Sequence, residues 1–326
     1  MKKVFSGIQP TGNIHIGNYL GAVKRWVSSQ DEFDNIFCIV NLHAITIYQD
    51  PKILKEKTLE LAGILLAAGI DPKKSLLFVQ SEVSAHAELA WMLNCLTPMG
   101  WMQRMTQFKE KSLKQKENVT VGLFDYPILM AADILLYNTD MVPVGEDQVQ
   151  HVELARDIAK RFNSMYGETF KVPEATIPKV GARIMGLDDP TKKMSKSEEA
   201  FGHAIGILDT PEEIRTKISR ATTDSQKEIK FDTSRPGIYN LLSIYQLFSG
   251  LSEKEIENRF SDKGYGDFKK ELAEIIIEGL KPLQNNYQEL TKDPQYIEAI
   301  LSESAKKADI LAQSKLKEVK TKLGLV

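Results

Sequence analysis

Two kinds of segment alternate along the first half of the chain. Short and nearly continuous apolar runs occur at 4–5, 35–40 and 75–80, and each is followed by a longer segment with apolar residues at helical spacing. Short buried strands that alternate with amphipathic helices are typical of a parallel sheet covered on both faces. The pattern predicts an α/β fold, namely a Rossmann-like, doubly wound parallel sheet whose ligands bind outside the carboxyl ends of the strands.

Helix signals and further apolar runs extend this alternation. Pro51 and Gly69 are residues that favour the start and the end of a helix, and they bound the helix after the second strand. A third helix is predicted at 85–96 and a markedly apolar one at 126–137. Strands are expected at 141–144 and, as the last strand of the sheet, at 180–187.

The remainder of the chain has only helical patterning. Thr210 and Ser252 each stand three residues before a glutamate, which is the pattern of a helix-capping box. Interruptions are expected at 264–266, at Pro282 and at Pro294. We therefore predict a Rossmann-like α/β domain over 1–205, with an insertion near 98–125, followed by an all-helical domain over 206–326.

Composition places the chain among ordinary globular proteins. Of its 326 residues 42% are hydrophobic and 26% are charged, and 42 Lys and Arg stand against 44 Asp and Glu. A net charge of −2 means that any nucleic-acid contact must come from local basic patches. Cys38 and Cys95 lie in apolar segments and are expected to be buried thiols. No run is long enough for a membrane span or a signal peptide, so we expect a cytoplasmic protein.

The turn after the first strand is a candidate anion site. It holds His15, Gly17 and Asn18 at the start of the following helix. The free N–H groups and positive dipole end of a helix attract anions, and Gly17 leaves space for a ligand to approach the backbone. His15 and Asn18 are three apart and share one helix face, so both can donate hydrogen bonds to phosphate or ribose. On these residues alone, a phosphate site and a structural turn are equally good interpretations.

A cationic loop is the second candidate. Lys193-Met-Ser-Lys-Ser197 follows the last predicted strand and has no apolar periodicity. Lysines on such a loop can close over a polyphosphate and neutralise the charge that builds on departing pyrophosphate. A solvated run of surface lysines is the alternative.

The two motifs together resemble the signature pair of the class I aminoacyl-tRNA synthetases. Five further segments are similar to the bacterial tryptophanyl-tRNA synthetase family, namely 7–12, 105–111, 131–137, 143–148 and 189–194. Asn18 stands where many members of the class carry a second histidine, and Asn is common there in the tryptophan branch. We expect the histidine turn (His15–Asn18) and the lysine loop (Lys193–Ser197) to meet at one triphosphate.

The resemblance implies an ATP site assembled from separate segments. It assigns the cradle of ATP to Gln9, Pro10, Thr11, Gly17 and Asn18, the ribose to Gly145, Glu146 and Asp147, and the adenine to Ile184. It assigns the triphosphate and catalysis to His15, Lys111, Lys193, Met194, Ser195, Lys196 and Ser197.

A single carboxylate in the apolar helix, Asp133, is the candidate for recognition of the amino acid. A buried carboxylate needs a donor, which is either a neighbouring protein group or, by the resemblance, the indole N–H of tryptophan. The resemblance implies further tryptophan-binding residues, which are Phe5, Gly7, Met130, Ile134, Val142 and Val144 around the ring and His43, Tyr126 and Gln148 at the polar ends. His43 is as well explained as a structural histidine.

The implied function is ATP-dependent ligation of L-tryptophan to tRNA(Trp). Mg²⁺ is expected on the ATP phosphates rather than in a protein cage, and we predict no metal site made by the protein. tRNA is expected on the helical domain, where Lys306, Lys307, Lys315, Lys317, Lys320 and Lys322 lie, and a homodimer through the insertion. The alternatives are a tyrosine-specific relative, a small-metabolite nucleotidylyltransferase and a non-catalytic RNA-binding relative.

Overall fold

The computed structural model describes residues 1–107, 119–177, 184–195, 202–226 and 228–326. Within them, five parallel strands form one sheet in the order β3-β2-β1-β4-β5. The strands are β1 (Lys3–Ile8), β2 (Asp34–Ile39), β3 (Leu76–Val79), β4 (Met141–Pro143) and β5 (Glu174–Thr176). This order, with β1 central and helical crossovers, is that of a doubly wound sheet, so the predicted fold class is confirmed.

The outermost strand differs from the prediction. Among the described residues the sheet ends at β5, where Glu174 pairs with Met141 and Thr176 with Pro143. Residues 180–183 lie outside the described ranges, and Met185 makes only an isolated bridge with Lys193. The pattern at 174–176 gave no strand signal because an edge strand of three half-exposed residues needs no apolar run.

The predicted start and end signals hold for α4, which begins at Pro51 and is followed by Gly69 with φ 111°. Its cap is Asp50, which accepts hydrogen bonds from the N–H groups of Lys52 and Ile53. In order, the helices are α1 (Ile16–Asn18), α2 (Lys24–Ser28), α3 (Asn41–Ala44), α4 (Pro51–Ala67), α5 (Ala85–Asn94), α6 (Met99–Gln103), α7 (Val121–Leu135), α8 (Val149–Tyr166), α9 (Pro211–Arg220), α10 (Pro236–Ser249), α11 (Glu253–Arg259), α12 (Tyr265–Leu290) and α13 (Pro294–Leu323). A π-helical turn (Tyr19–Val23) joins α1 to α2, and 3₁₀ turns occupy Gln80–Glu82 and Glu146–Gln148.

Two details of the helical pattern, and the expected burial of Cys95, were predicted wrongly. The apolar helix starts at Val121 rather than at 126, because the Thr120 hydroxyl caps it by accepting from the Leu123 N–H. Helix α12 runs through Pro282, since Leu280 and Leu283 on either side of it are buried and hold the helix together. Cys95 is exposed, because it lies just past the last turn of α5.

Two compact units can be described. The first, here called the sheet unit, comprises Met1–Pro10, Ser28–Lys179 and Asp293–Val326. Its core lies between the sheet and helices α5, α7 and α8, and α13 packs on β3, α4 and α5. The last helix therefore belongs to the same compact unit as the sheet.

The second, the helical unit, comprises Thr11–Val27 and Val180–Lys292. Helix α12 packs against α9 and α10, and Tyr245, Phe260 and Phe268 form an aromatic cluster with ring centroids 5.0–5.9 Å apart. These units divide the chain at other positions than 205, and the functional division at that residue stays a prediction. None of the described helices is long and apolar enough to cross a membrane.

Candidate active site

The carboxyl ends of β1 and β4 define the crevice where ligands bind in a doubly wound sheet. The chain leaves β1 towards β2 on one side, while β4 lies on the other, so this pair is the topological switch point. Gln9 and Pro10 follow β1, whereas Val144 and Gly145 follow β4. The sheet unit thus brings three predicted ATP residues, Gln9, Pro10 and Gly145, and the predicted tryptophan residue Val144 to the edge where the fold places a ligand.

Asp133 lies in the buried part of α7 and has three protein donors. His43 Nε2 lies 2.8 Å from its Oδ2, while His86 Nδ1 at 2.6 Å and Gln80 Nε2 at 2.7 Å contact its Oδ1. Its side chain is 1% exposed. Because an ionised carboxylate only accepts, the facing nitrogens of both histidines carry hydrogen.

This cluster sets the protonation of its members. Burial alone would raise the pKa of Asp133, but the hydrogen bonds from His43 and His86 outweigh it and hold the pKa below its usual range. Burial, together with the Asp133 charge, raises the pKa of the Cys38 thiol well above its ordinary value. Asp133 is therefore an anionic acceptor at neutral pH, and Cys38 is a protonated thiol.

The apolar residues predicted around Asp133 lie on β1, α7 and β4. Phe5 is buried and stacks on Tyr137, with ring centroids 5.9 Å apart. Ile134 and Val142 are buried in the core. Two further residues, Met130 and Val144, are partly buried and pack against that core. Gly7 is exposed in β1, and a Cβ there would lie 3.1 Å from Val40 Cγ1.

A second polar group connects Tyr126 to the turn after β4. The Tyr126 hydroxyl donates to Gln107 Oε1 at 3.0 Å and lies 2.9 Å from His151 Nε2. Gln107 and Gln148 each donate an amide hydrogen to Asp147 Oδ2 at 3.1 Å. Burial, helped by the Asp147 charge, raises the pKa of Tyr126 to about 12, so its hydroxyl stays protonated and can donate.

The histidine turn of the helical unit is held by backbone pairing. Ile16 N–H donates to Ile205 O at 2.9 Å, and Ile207 N–H donates to Ile14 O at 2.9 Å. At the start of α1, the His15 N–H donates to Asn18 Oδ1 at 3.2 Å. Thr11, Gly17 and Asn18 are partly exposed, while His15 is buried.

The stem of the lysine loop meets this turn within the helical unit. Met194 N–H donates to Ile184 O at 3.0 Å, and the backbone of Lys193 forms an isolated antiparallel β-bridge with that of Met185. A Cβ added at Gly17 would lie 3.6 Å from Ile184 Cβ. The stem of the lysine loop therefore lies beside the histidine turn, as far as the described residues reach. Lys111, Lys196 and Ser197 lie outside the described residues.

The C-terminal lysines differ in their surroundings, which changes the predicted basic surface. Lys315 is 7% exposed and donates to Thr169 O and Glu318 Oε2, both at 2.6 Å. Lys307 pairs with Glu303, and Lys320 pairs with Glu88. Lys306, Lys317 and Lys322 are exposed. Lys315 is thus an internal residue rather than part of a tRNA surface.

Four polar residues of these networks were not predicted, namely Gln80, His86, Gln107 and His151. His86 and His151 are polar positions on apolar helix faces, the same signal that identified Asp133. Gln107 lies inside the similar segment 105–111. Among the described residues, no group of three or more His, Cys, Asp or Glu side chains is placed to hold a metal ion.

Comparison with known proteins identifies the class. The family described as tRNA synthetases class I (W and Y) matches residues 1–281. The chain therefore belongs to the class I tRNA synthetases of the tryptophan and tyrosine group.

Similar proteins within the group are named for tryptophan. The tryptophan–tRNA ligase of Wolinella succinogenes is 64% identical over 325 residues, which cover 100% of this chain and 99% of the relative. The crystal structure of tryptophanyl-tRNA synthetase from Mycoplasma pneumoniae has a TM-score of 0.91 at 35% identity, covering 100% of this chain and 98% of that one. The Campylobacter jejuni synthetase, complexed with ADP and tryptophan, has a TM-score of 0.87 at 39% identity, covering 99% and 100%.

Proposed function

We propose that this protein is an ATP-dependent ligase that activates L-tryptophan and transfers it to the 3′ end of tRNA(Trp). The observation that carries the proposal is the similarity over the full chain to relatives named for this activity, with 64% identity to one of them. The buried Asp133 carboxylate, which is an acceptor matched to an indole N–H, supports the choice of amino acid.

The first step needs no general base. The tryptophan carboxylate, already ionised at neutral pH, attacks the α-phosphorus of ATP, and pyrophosphate leaves as the new P–O bond forms. In the second step, a ribose hydroxyl at the tRNA 3′ end attacks the carbonyl carbon of the adenylate and AMP departs. Catalysis therefore rests on alignment and on stabilising the charge of the leaving pyrophosphate.

Phosphate handling is assigned to the two motifs of the helical unit. Gly17 allows close approach of ATP to the backbone, with His15 and Asn18 at the helix start. Lys193 and Lys196, with Ser195 and Lys111, neutralise the triphosphate, and Mg²⁺ is carried by the phosphates. Gln9, Pro10 and 145–147, at the carboxyl edge of the sheet, are assigned to the nucleoside.

Tryptophan recognition is assigned to the sheet unit. Asp133 accepts the indole N–H, and Phe5, Met130 and Val144 contact the ring. A phenylalanine in the same position would leave one acceptor of a buried carboxylate without its donor, which disfavours it strongly. Tyr126 and Gln148 are assigned to the ammonium and carboxylate of the substrate.

The assembly and the second substrate are also proposed. Exposed apolar side chains at Trp91, Met99 and Val121 support a homodimer through 98–125, which sedimentation analysis tests. The exposed lysines Lys306, Lys317 and Lys322 support tRNA binding on α13. A role in aminoacylation of tRNA supports a location in the cytoplasm.

The test is pyrophosphate exchange into ATP over a panel of amino acids. Exchange with tryptophan alone is expected, and exchange with tyrosine, or with none, contradicts the proposal.

Lys196→Ala should lower the adenylation rate about one-hundredfold or more with little change in tryptophan affinity. Lys192→Ala is the matched control, because the exposed Lys192 pairs with Asp189 and is assigned no contact with phosphate.

A further inference from the structure

The Asp133 cluster includes residues beyond the groups that are assigned to tryptophan, and His86 is one of them. His86 lies on α5 and is fully buried. Its Nδ1 lies 2.6 Å from Asp133 Oδ1, and its Nε2 lies 2.8 Å from the Tyr137 hydroxyl. No step of the proposed reaction uses His86, and a buried imidazole with both nitrogens engaged needs an explanation.

The direction of these hydrogen bonds follows from Asp133. The ionised carboxylate can only accept, so Nδ1 of His86 carries hydrogen. In the neutral ring Nε2 is then an acceptor, and the Tyr137 hydroxyl donates to it. The result is a chain in one direction, from Tyr137 through His86 to Oδ1 of Asp133.

Counting acceptor positions shows what this chain does to the carboxylate. Oδ1 accepts from both His86 and Gln80, whereas Oδ2 accepts from His43. With about two lone pairs on each oxygen, one acceptor position is left on Oδ2 as far as the described residues show. Because His86 and Gln80 both donate to Oδ1, Oδ2 can accept one hydrogen bond in addition to that from His43.

We infer that His86 is a positioning residue for amino-acid selection, which, held by Tyr137, keeps Asp133 turned so that Oδ2 presents its remaining acceptor position to the indole N–H. Without the His86 hydrogen bond, the carboxylate can rotate and use that position for a protein donor. Tryptophan then loses the interaction that phenylalanine never makes. This inference rests on the proposed role of Asp133 in binding tryptophan.

Two substitutions of His86 separate its two hydrogen bonds. An asparagine amide can occupy the position of Nδ1, and a glutamine amide that of Nε2. His86→Asn should therefore keep the bond to Asp133, and His86→Gln should keep only the partner at Tyr137. We expect His86→Gln to raise KM for tryptophan by about tenfold or more, with a matching fall in preference over phenylalanine. KM for ATP should be unchanged, and His86→Asn, which loses only the partner at Tyr137, should raise KM for tryptophan by severalfold at most and by less than His86→Gln does.

Two further variants keep the inference falsifiable if His86→Gln folds poorly. Tyr137→Phe removes only a hydroxyl and should raise KM for tryptophan by severalfold, without an effect on KM for ATP. Gln30→Ala is the control for loss of stability alone. Gln30 is buried in the same unit, bonded to Gly69 O at 2.9 Å and to the Asp71 N–H at 2.8 Å, so its loss should lower Tm and leave KM for tryptophan unchanged.

Exchange kinetics with tryptophan and phenylalanine distinguish the possible failures. If the natural protein shows no tryptophan-dependent exchange, the proposed function fails and the inference with it. If exchange occurs but Asp133→Asn keeps the full preference for tryptophan, the role of Asp133 fails. If Asp133→Asn loses the preference while His86→Gln and Tyr137→Phe both keep it, or if Gln30→Ala loses it equally, the inference on His86 alone is overturned.

Discussion

A β-carbon on Gly17 would lie 2.9 Å from Nδ1 of His15 and 3.0 Å from its Cε1. Real side-chain carbons do not approach other atoms so closely, so the imidazole of His15 would have to move. His15 is buried, with 3% of its surface exposed, and cannot simply turn into solvent. Gly17 thus leaves room for the histidine of its own turn.

Replacement of Gly17 by alanine is therefore expected to impair adenylation. We expect Gly17→Ala to lower kcat/KM for ATP by about tenfold or more, because a small displacement of a positioning group has a large effect on rate. The measurement is tryptophan-dependent pyrophosphate exchange at varied ATP concentration. Gly21→Ala is the matched control, since a Cβ there meets nothing within 4 Å, and an equal loss in both variants contradicts the argument.

Replacement of Asp133 by asparagine tests the acceptor itself. The change keeps the shape but places an amide N–H among groups that already donate, so we expect KM for tryptophan to rise by about tenfold to one-hundredfold. The preference over phenylalanine should fall with it. Unfolding should also become easier by about 1–3 kcal/mol, because a buried donor is left without an acceptor. Unchanged amino-acid preference would make Asp133 a purely structural residue.

Lys315 and Lys317 should respond in opposite ways to substitution. Lys315→Met removes the donor to Thr169 O and the partner of Glu318, so the free energy of unfolding should fall by about 1–3 kcal/mol. Lys317→Ala changes an exposed side chain, and its stability should stay within about 0.5 kcal/mol of the natural protein. Binding of tRNA should weaken only for Lys317→Ala. The tRNA affinity of that variant should also depend less steeply on salt concentration than that of the natural protein. Weaker tRNA binding in a folded Lys315→Met would contradict this assignment.

The pair Asp224 and Arg235 should make stability depend on pH. Arg235 Nε donates to Asp224 Oδ2 at 2.9 Å and the Tyr265 hydroxyl to Oδ1 at 2.7 Å, and these hydrogen bonds lower the pKa of Asp224 to about 2. A lowered pKa adds stability that is complete above about pH 4 and is lost as pH falls towards 2. After allowance for solvent screening we expect about 1 kcal/mol.

Denaturant unfolding at pH 7 and at pH 3 measures this contribution. Asp224→Asn should be less stable than the natural protein at pH 7, and the difference should shrink at pH 3. A difference that grows as pH falls would contradict the sign of the pKa shift. Glu228→Gln is the control, because the exposed Glu228 pairs only with exposed Lys230 among the ion pairs seen here.

Local patterns determined much of this protein. The strands β1, β2 and β3 and the starts of α4, α9 and α11 follow from apolar runs and from start signals such as Pro51 and Thr210, because these signals act within a few residues of chain. The pairing of the histidine turn with the lysine loop was expected from a resemblance, and the described stem at Met194 and Ile184 agrees with it.

Other features depended on contacts between distant segments. The edge strand β5 had no apolar run because its pairing with β4 supplies the hydrogen bonds. Lys315 looks like its neighbours in the sequence, yet burial against Thr169, 146 positions away, makes it structural. The donors on Asp133 come from three separate segments, at 43, 80 and 86. The sequence alone determined that a buried carboxylate needs partners, whereas only the tertiary structure decided which side chains they are, because hydrogen bonds at 3 Å depend on packing that no local pattern encodes.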